Sequence, residues 1–119
     1  MTEPSTKGVT MRAGKPAELA RQQVEARDSR VLEAALALAN SINGLERMTR
    51  ESVAMLAGVA TGSVNTAFGT MADLRIAVVE EAIKREVLAV VAQGIAGAYP
   101  AALAAPRDLQ MRALASLTA

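Results

Sequence analysis

A glycine between two short helical patterns, at residues 49–68, constrains the fold of this chain more than any other feature. Apolar residues recur with helical spacing on one side of the first pattern, at Val53, Leu56 and Ala57. Gly58 follows them, and glycine enters the left-handed conformation without the strain of a Cβ atom. The stretch therefore predicts two short helices joined by a tight turn, as in a helix-turn-helix unit.

The residues around this turn indicate where each helix begins. Thr49 can cap the first helix by accepting a hydrogen bond from a backbone N–H of its first turn. Residues 61–63 would open the second helix, whose buried side is expected to carry Val64, Ala67 and Phe68. In a helix-turn-helix protein the second helix lies in the DNA major groove. Two helices of an ordinary bundle joined by a glycine turn remain the alternative.

Composition favours helices and argues against an enzyme. The chain has 119 residues, of which 51% are hydrophobic and only 2% aromatic, and alanine is abundant. It contains neither cysteine nor histidine, so we expect no disulfide, no thiolate metal site and no histidine base to activate a serine. We therefore predict no catalysis, no cofactor and no metal. The net charge of +1 does not by itself indicate a nucleic-acid binder.

The segment before the glycine turn is expected to contain a tail and one long helical region. Residues 1–15 combine glycine and proline with scattered basic residues, which is typical of a flexible arm. The arm could contact DNA or be a solvated tail. Pro16 suits the first turn of a helix. Residues 16–28 would either extend the first core helix or form a separate one, with a break expected at residues 28–29. A buried stripe is expected at Leu19, Val24, Val31, Leu32, Ala35, Leu36, Ala39 and Ile42.

The segment after the turn predicts a long fourth helix. Thr70 with Asp73 three residues later matches a capping pattern, and residues 74–97 have few helix breakers. From 87 to 96 this helix would be apolar over much of its circumference, so we expect a second copy of the chain to cover it. A last helix is expected to begin at Pro106.

Together these patterns predict an all-α fold. It would have a three-helix core that includes the helix-turn-helix, a long fourth helix and a short C-terminal helical segment. The expected division is a basic arm at 1–15, a DNA-binding domain at 16–74 and a dimerisation or oligomerisation segment at 75–119.

Three segments resemble the N-terminal DNA-binding domain of the TetR (tetracycline-repressor) family of transcriptional regulators. They are V-L-E-A-A-L-A-L-A at 31–39, V-A-M-L-A-G-V-A-T-G-S-V at 53–64 and F-G-T-M-A-D-L at 68–74. The last two are similar to the family's helix-turn-helix and to the start of its fourth helix. The resemblance covers somewhat under half of the chain. It implies a DNA-binding regulator without the family's large ligand-binding domain.

We accordingly expect a sequence-specific regulator that binds double-stranded DNA as a homodimer or higher homo-oligomer. Asn65 is the leading candidate for a base contact, since an Asn side chain can pair with both N6 and N7 of adenine; a polar surface residue is the alternative. The other candidates on the second helix are Thr61, Ser63 and Thr66. At the first helix they are Arg47, Thr49 and Arg50, which could hold a phosphate or, for the arginines, pair with Glu46 and Glu51.

Two other functions stay open. The first is a protein-interaction adaptor that keeps the helix-turn-helix but binds another regulator. An uncharged second helix favours it, as do Ala60 and Met71 where the TetR family usually has Ser and often Lys. The second is an oligomeric accessory protein for DNA packaging or recombination, assembled through the apolar fourth helix.

The chain is expected to be cytoplasmic, and nucleoid-associated if it binds DNA. Its N-terminus lacks the apolar region of a signal peptide. The longest weakly polar run, at 87–105, is interrupted by Gln93, glycines and Pro100, which makes a poor membrane span.

Overall fold

A computed structural model of the protein describes residues 5–118, with side chains from residue 16 onward. This part of the chain consists of helices and their connections and has no strand, which confirms the all-α fold. Within residues 5–118 eight helices follow one another: α1 (Ser5–Ala39), α2 (Gly44–Arg47), α3 (Arg50–Ala57), α4 (Thr61–Phe68), α5 (Met71–Arg85), α6 (Leu88–Ala96), α7 (Pro100–Leu103) and α8 (Arg107–Ala115).

The first helix is longer than expected. Pro16 lies inside α1 rather than in its first turn, and the predicted break at residues 28–29 does not occur. The predicted arm overlaps α1 from Ser5 onward, while residues 1–4 of that arm lie outside the described residues. No residue between 17 and 30 of α1 is a glycine or proline, so nothing in the backbone chemistry interrupts the helical hydrogen bonds across residues 28–29.

Among the α1 residues whose side chains are described, from residue 16 onward, only those in the C-terminal part belong to the core. Val31, Ala35 and Ala39 are fully buried, because α3, α4 and α5 all pack on this part of the helix. Leu19 and Val24 were predicted to be buried with them, but they are 54% and 45% exposed. The stripe continues along α1 beyond the point where the other helices of the chain can cover it.

Local sequence signals mark the end of α1 and the start of α5. α1 ends at Ala39, five residues before Gly44, and Asn43 adopts a left-handed conformation with φ of 56°. Thr70 and Asp73 form a reciprocal cap at the start of α5: Asp73 N–H donates to Thr70 Oγ1 and Thr70 N–H donates to Asp73 Oδ2, both at 3.1 Å. The predicted cap of the fourth helix is therefore confirmed.

The prediction of a single long fourth helix is wrong, because the structure divides this segment into two helices. α5 ends at Arg85, and Glu86 is left-handed with φ of 56°. α6 then begins at Leu88 and packs on α5, while α7 and α8 pack on α6. The chain thereby covers its own most apolar segment, as a helix that is apolar all round requires.

This break removes the reason for a dimer surface at residues 74–97. Val90 and Val91 are fully buried, and Val87 is half-buried against the same core. The buried residues form one cluster that extends from Val31 in α1 to Ala113 in α8. The expected boundary between residues 74 and 75 falls inside α5 and does not separate two cores.

Within residues 5–118, no helix is both long enough and apolar enough to cross a membrane.

Candidate nucleic-acid interface

The helix-turn-helix segment folds into α3, a three-residue connection and α4. Thr49 caps α3 as predicted: Ser52 N–H donates to Thr49 Oγ1 at 3.1 Å, and Thr49 N–H donates to Ser52 Oγ at 2.9 Å. Gly58 is left-handed with φ of 73°, and the next amide, of Val59, donates to the Ala54 carbonyl at 3.0 Å. These bonds close the C-terminus of α3 and turn the chain into α4.

One residue of α3 departs from the prediction. Val53 and Ala57 are buried, but Leu56 is 55% exposed and its neighbour Met55 is 83% exposed. α3 is only eight residues long, and it buries the narrow side that faces α1 and α4. Leu56 lies at the edge of this side, where it borders an open groove between α1 and α3.

α4 presents a small, uncharged face. Val64 is buried, with Ala67 and Phe68 half-buried beside it. The opposite face carries the exposed residues Thr61, Gly62, Asn65 and Thr66, and Ser63 is half-buried at its border. A Cβ atom at Gly62 would meet no atom within 4 Å, so the backbone of α4 is open to close approach at that residue.

Some polar groups on this face already form hydrogen bonds within α4, and others have no partner in the helix. Thr66 Oγ1 donates to the Gly62 carbonyl at 3.0 Å, so its hydroxyl proton is used within the helix. Ala60, the N-cap residue of α4, supplies no side-chain acceptor, and the first amides of a helix have no partner inside it. The amides of Thr61 and Gly62 therefore point out of the uncapped end of α4.

Two arginines flank the first turn of α3. Arg47 ends α2 and is exposed, while Arg50 opens α3 and is half-buried. Among the residues with described side chains, neither forms a salt bridge with Glu46 or Glu51. The Nε atom of Arg50 is buried without a hydrogen-bond partner. The surface-pair alternative for these arginines is thus not seen, and their charges are not neutralised by a neighbouring carboxylate.

Glu46 has a different partner. Tyr99, at the start of α7, donates its hydroxyl to Glu46 Oε2 at 3.3 Å. Burial raises the pKa of the Tyr99 phenol, and the Glu46 carboxylate raises it further. Tyr99 therefore remains a neutral donor, and Glu46 contacts α7 rather than Arg47.

The sequence-predicted site residues fall into two groups. Arg47, Thr49 and Arg50 lie together at the junction of α2 and α3, beside a cavity of about 290 Å³ that Arg47 and Ser52 line. The second group, Thr61, Ser63, Asn65 and Thr66, lies on α4, which packs against α3.

Two residues beside this site escaped the sequence analysis. Arg75 of α5 donates from Nε to the Leu45 carbonyl at 3.0 Å, and Gln93 of α6 accepts from Leu45 N–H at 2.8 Å. Both residues therefore hold α2 from positions outside the predicted DNA-binding domain of residues 16–74. Gln93 did carry a signal, since it is the sole polar residue between 87 and 96. Arg75 carried none, because an arginine on a helix is ordinarily a solvated side chain.

No group of three or more carboxylates among the described residues could hold a metal ion. Comparison of the chain with protein-family models, with curated proteins and with solved structures finds no match in any of the three.

Proposed function

We propose that this protein is a small sequence-specific DNA-binding regulator that acts as a homodimer, with α3 and α4 as a helix-turn-helix of the kind the TetR-like segments imply. The observation that carries the proposal is the exposed face of α4. Asn65 and Thr61 project from it, and Gly62 leaves the backbone open between them. A narrow, polar and uncharged helix face suits the major groove, where hydrogen bonds to base edges read sequence.

Electrostatics at the start of α3 supports the same function. Arg47 and Arg50 have no carboxylate partner among the described side chains, so ion pairing with phosphates would not first break a salt bridge. Thr49 and Ser52 use each other for the cap, which leaves the amides of residues 50 and 51 to face an anion. In this proposal α3 contacts the DNA backbone and α4 contacts the bases.

Selection of bound sites from random duplex DNA, followed by fluorescence anisotropy on the selected site, tests the proposal. Two arginines in each of two subunits should neutralise about four phosphates, and each phosphate contributes about −0.9 to the slope of log K against log salt. The double variant Arg47→Gln/Arg50→Gln should bind more weakly and with a shallower slope. Arg107→Gln, an exposed arginine at the start of α8, is the matched control and should change neither quantity.

Failure to enrich any sequence, together with no binding at low salt, would show that the protein does not read DNA. Equal slopes for the double variant and the Arg107 control would remove the phosphate contacts from the proposal while leaving base reading by α4 intact.

The second copy in the proposed dimer needs a different surface from residues 74–97. The exposed large apolar side chains of the C-terminal helices lie mainly on α8 and just after it: Met111 is 63%, Leu114 45% and Leu117 64% exposed. Leu117 also borders a groove with Ile42, which is 84% exposed. Met111 and Leu114, three residues apart in α8, lie on one side of the helix, away from the buried Leu109 and Ala113. An apolar, self-complementary face of this kind fits an isologous contact between two copies.

Analytical ultracentrifugation of Leu114→Asp tests the location of this contact. The variant should be monomeric with an unchanged circular dichroism spectrum, because Leu114 is not part of the core. Leu19→Asp, which places the same charge on an exposed leucine of α1, should leave the dimer intact. A dimeric Leu114→Asp protein would locate the contact elsewhere.

An adaptor that binds another protein is the second candidate, and exposed apolar residues on α3 favour it. Leu56 borders the α1–α3 groove, whose volume is about 360 Å³ and whose other lining includes Ala34 and Ala37. Met55, the preceding residue, is 83% exposed on the same helix. Met55→Asp should abolish binding of a partner protein without affecting the salt slope for DNA. The third possibility, assembly through an apolar fourth helix, loses its motivation because α7 and α8 cover α6.

A further inference from the structure

The short helix α2 is held by side chains from two later helices, and both of these side chains bond to the backbone of Leu45. Leu45 is fully buried. Its backbone N–H donates to Gln93 Oε1 at 2.8 Å, and its carbonyl accepts from Arg75 Nε at 3.0 Å. Side chains of α5 and α6 thus bind both polar groups of the Leu45 backbone. We call the Arg75 and Gln93 side chains, in these contacts, the Leu45 clamp.

Each side chain of the clamp also extends beyond Leu45. Gln93 Nε2 donates to the carbonyl of Ala39, the last residue of α1, at 2.7 Å and to that of Ser41 at 3.0 Å. Arg75 Nη2 lies 3.5 Å from the carbonyl of Met48, the C-cap residue of α2. The clamp therefore spans the whole connection from the end of α1 to the cap of α3.

α2 depends on these contacts because of its length. A helix of four residues has too few internal hydrogen bonds to be stable by itself. α2 nevertheless carries Arg47 as its last residue. Only Met48 and the capping residue Thr49 separate α2 from Arg50. The orientation of both arginines follows from where α2 is held.

We propose that Arg75 and Gln93 are positioning residues for DNA binding, which hold α2 and the first turn of α3 in the geometry that phosphate contact needs. This inference rests on the proposed function. In this proposal α5 and α6 contribute to DNA binding indirectly, through the side chains with which they hold α2. Loss of the clamp loosens α2, spreads Arg47 and Arg50 over many orientations and weakens binding, while the core of the protein stays folded.

Two variants and one matched control test the clamp. Gln93→Leu keeps the approximate size of the side chain and removes both of its polar groups. Arg75→Lys keeps the positive charge but loses the planar fork that reaches two carbonyls, so a change in binding cannot come from lost charge. The control is Gln110→Leu: Gln110 Nε2 donates to the carbonyls of Ala102, Leu103 and Ala105, which is the same chemistry at α7 without contact to α2.

The first measurement is amide hydrogen exchange at Arg47, Met48 and Ser52. Their amides bond to Asn43, Gly44 and Thr49 rather than to the clamp, so faster exchange there reports a looser α2. The second is anisotropy on the selected DNA site. In Gln93→Leu and Arg75→Lys, exchange at these amides should rise, and affinity should fall by about tenfold or more, the effect of about 1.4 kcal/mol. Gln110→Leu should change neither.

The outcomes separate the clamp from the proposed function. If the intact protein binds no DNA, the proposed function fails and the positioning role fails with it, while the exchange rates still decide whether the clamp orders α2. If the intact protein binds DNA and both clamp variants bind equally well, the positioning role is overturned. Should Gln93→Leu fail to fold, Arg75→Lys alone decides between these results.

Discussion

Arg85 of α5 pairs with Glu33 of α1 across 52 residues of sequence, with Arg85 Nη1 3.0 Å from Glu33 Oε1 and a second contact between Nη2 and Oε2. The same guanidinium binds Glu81 through Nε at 2.7 Å. Arg85 is the last residue of α5 before the chain reverses at Glu86. The Glu33–Arg85 pair therefore holds the C-terminal end of α5 against α1.

The Glu33–Arg85 pair predicts a specific response to acid. The hydrogen bond from Arg85 lowers the pKa of Glu33 below its ordinary value. A carboxyl whose pKa is lower in the folded state contributes stability above its unfolded pKa of about 4.3 and loses it as pH falls through the folded value. Glu33→Gln should thus have a lower melting temperature than the unmodified protein at neutral pH, with the difference disappearing in acid.

Thermal unfolding followed by circular dichroism across this pH range measures the effect. Glu80→Gln, on the exposed side of α5 and outside the salt bridges of the described residues, is the control and should show no such difference. A difference for Glu33→Gln that is equally large at neutral and acidic pH would contradict the ion-pair explanation.

A substitution at Leu74 tests whether the buried residues of the chain unfold as one cooperative core. It is fully buried in α5, at the expected boundary between two domains. Leu74→Ala should lower the free energy of unfolding by about 2–5 kcal/mol, measured by urea denaturation with one transition. Met55→Ala, at a residue that is 83% exposed, should change it by less than about 0.5 kcal/mol. Two separate transitions in Leu74→Ala would indicate that α1–α4 and α6–α8 unfold independently.

Ala98 has a left-handed backbone with φ of 60°, which costs a residue with a Cβ atom about 1–2 kcal/mol. Ala98→Gly should raise the melting temperature because it relieves this strain. Ala26→Gly makes the same change at an exposed residue in the interior of α1 and should instead cost about 0.5–1 kcal/mol. Effects of the same sign in both variants would rule out strain at Ala98.

The uncapped start of α4 offers a stabilising substitution. Ala60 precedes α4 with extended backbone angles but no side-chain acceptor. Ala60→Ser should add the missing cap and stabilise the protein by about 1 kcal/mol. Ala115→Ser, in the last turn of α8, is the matched control and should not stabilise. If Ala60→Ser leaves stability unchanged, the α4 amides already have another acceptor.

Asn65 is the sharpest test of base reading. Asn65→Ala should cost about 1–3 kcal/mol of binding free energy on the selected site, with little change on random DNA or in the salt slope. Thr66→Ala should cost less, because the Thr66 hydroxyl already donates to the Gly62 carbonyl. Anisotropy on specific and random duplexes measures both. Equal losses on the two duplexes would make Asn65 a nonspecific contact.

The sequence alone determined the local features of this protein. The caps at Thr49 and Thr70 and the left-handed turn at Gly58 were predicted from residue type and spacing, and all three are present. Each depends on atoms within about four residues along the chain, and such short-range bonds need no knowledge of the remaining fold. The same locality allowed the positions of the candidate site residues on α3 and α4 to be predicted.

The tertiary structure decided which apolar faces are covered. Leu19 and Leu56 fit a helical stripe as well as Val31 and Val53 do, yet the first two are exposed and the last two are buried. Periodicity identifies a face but does not say how far along it other helices extend. The clamp on Leu45 is likewise invisible in the sequence, because its hydrogen bonds join residues 27 to 54 positions apart. Contacts at such separations form only when the packing of the whole chain brings them together.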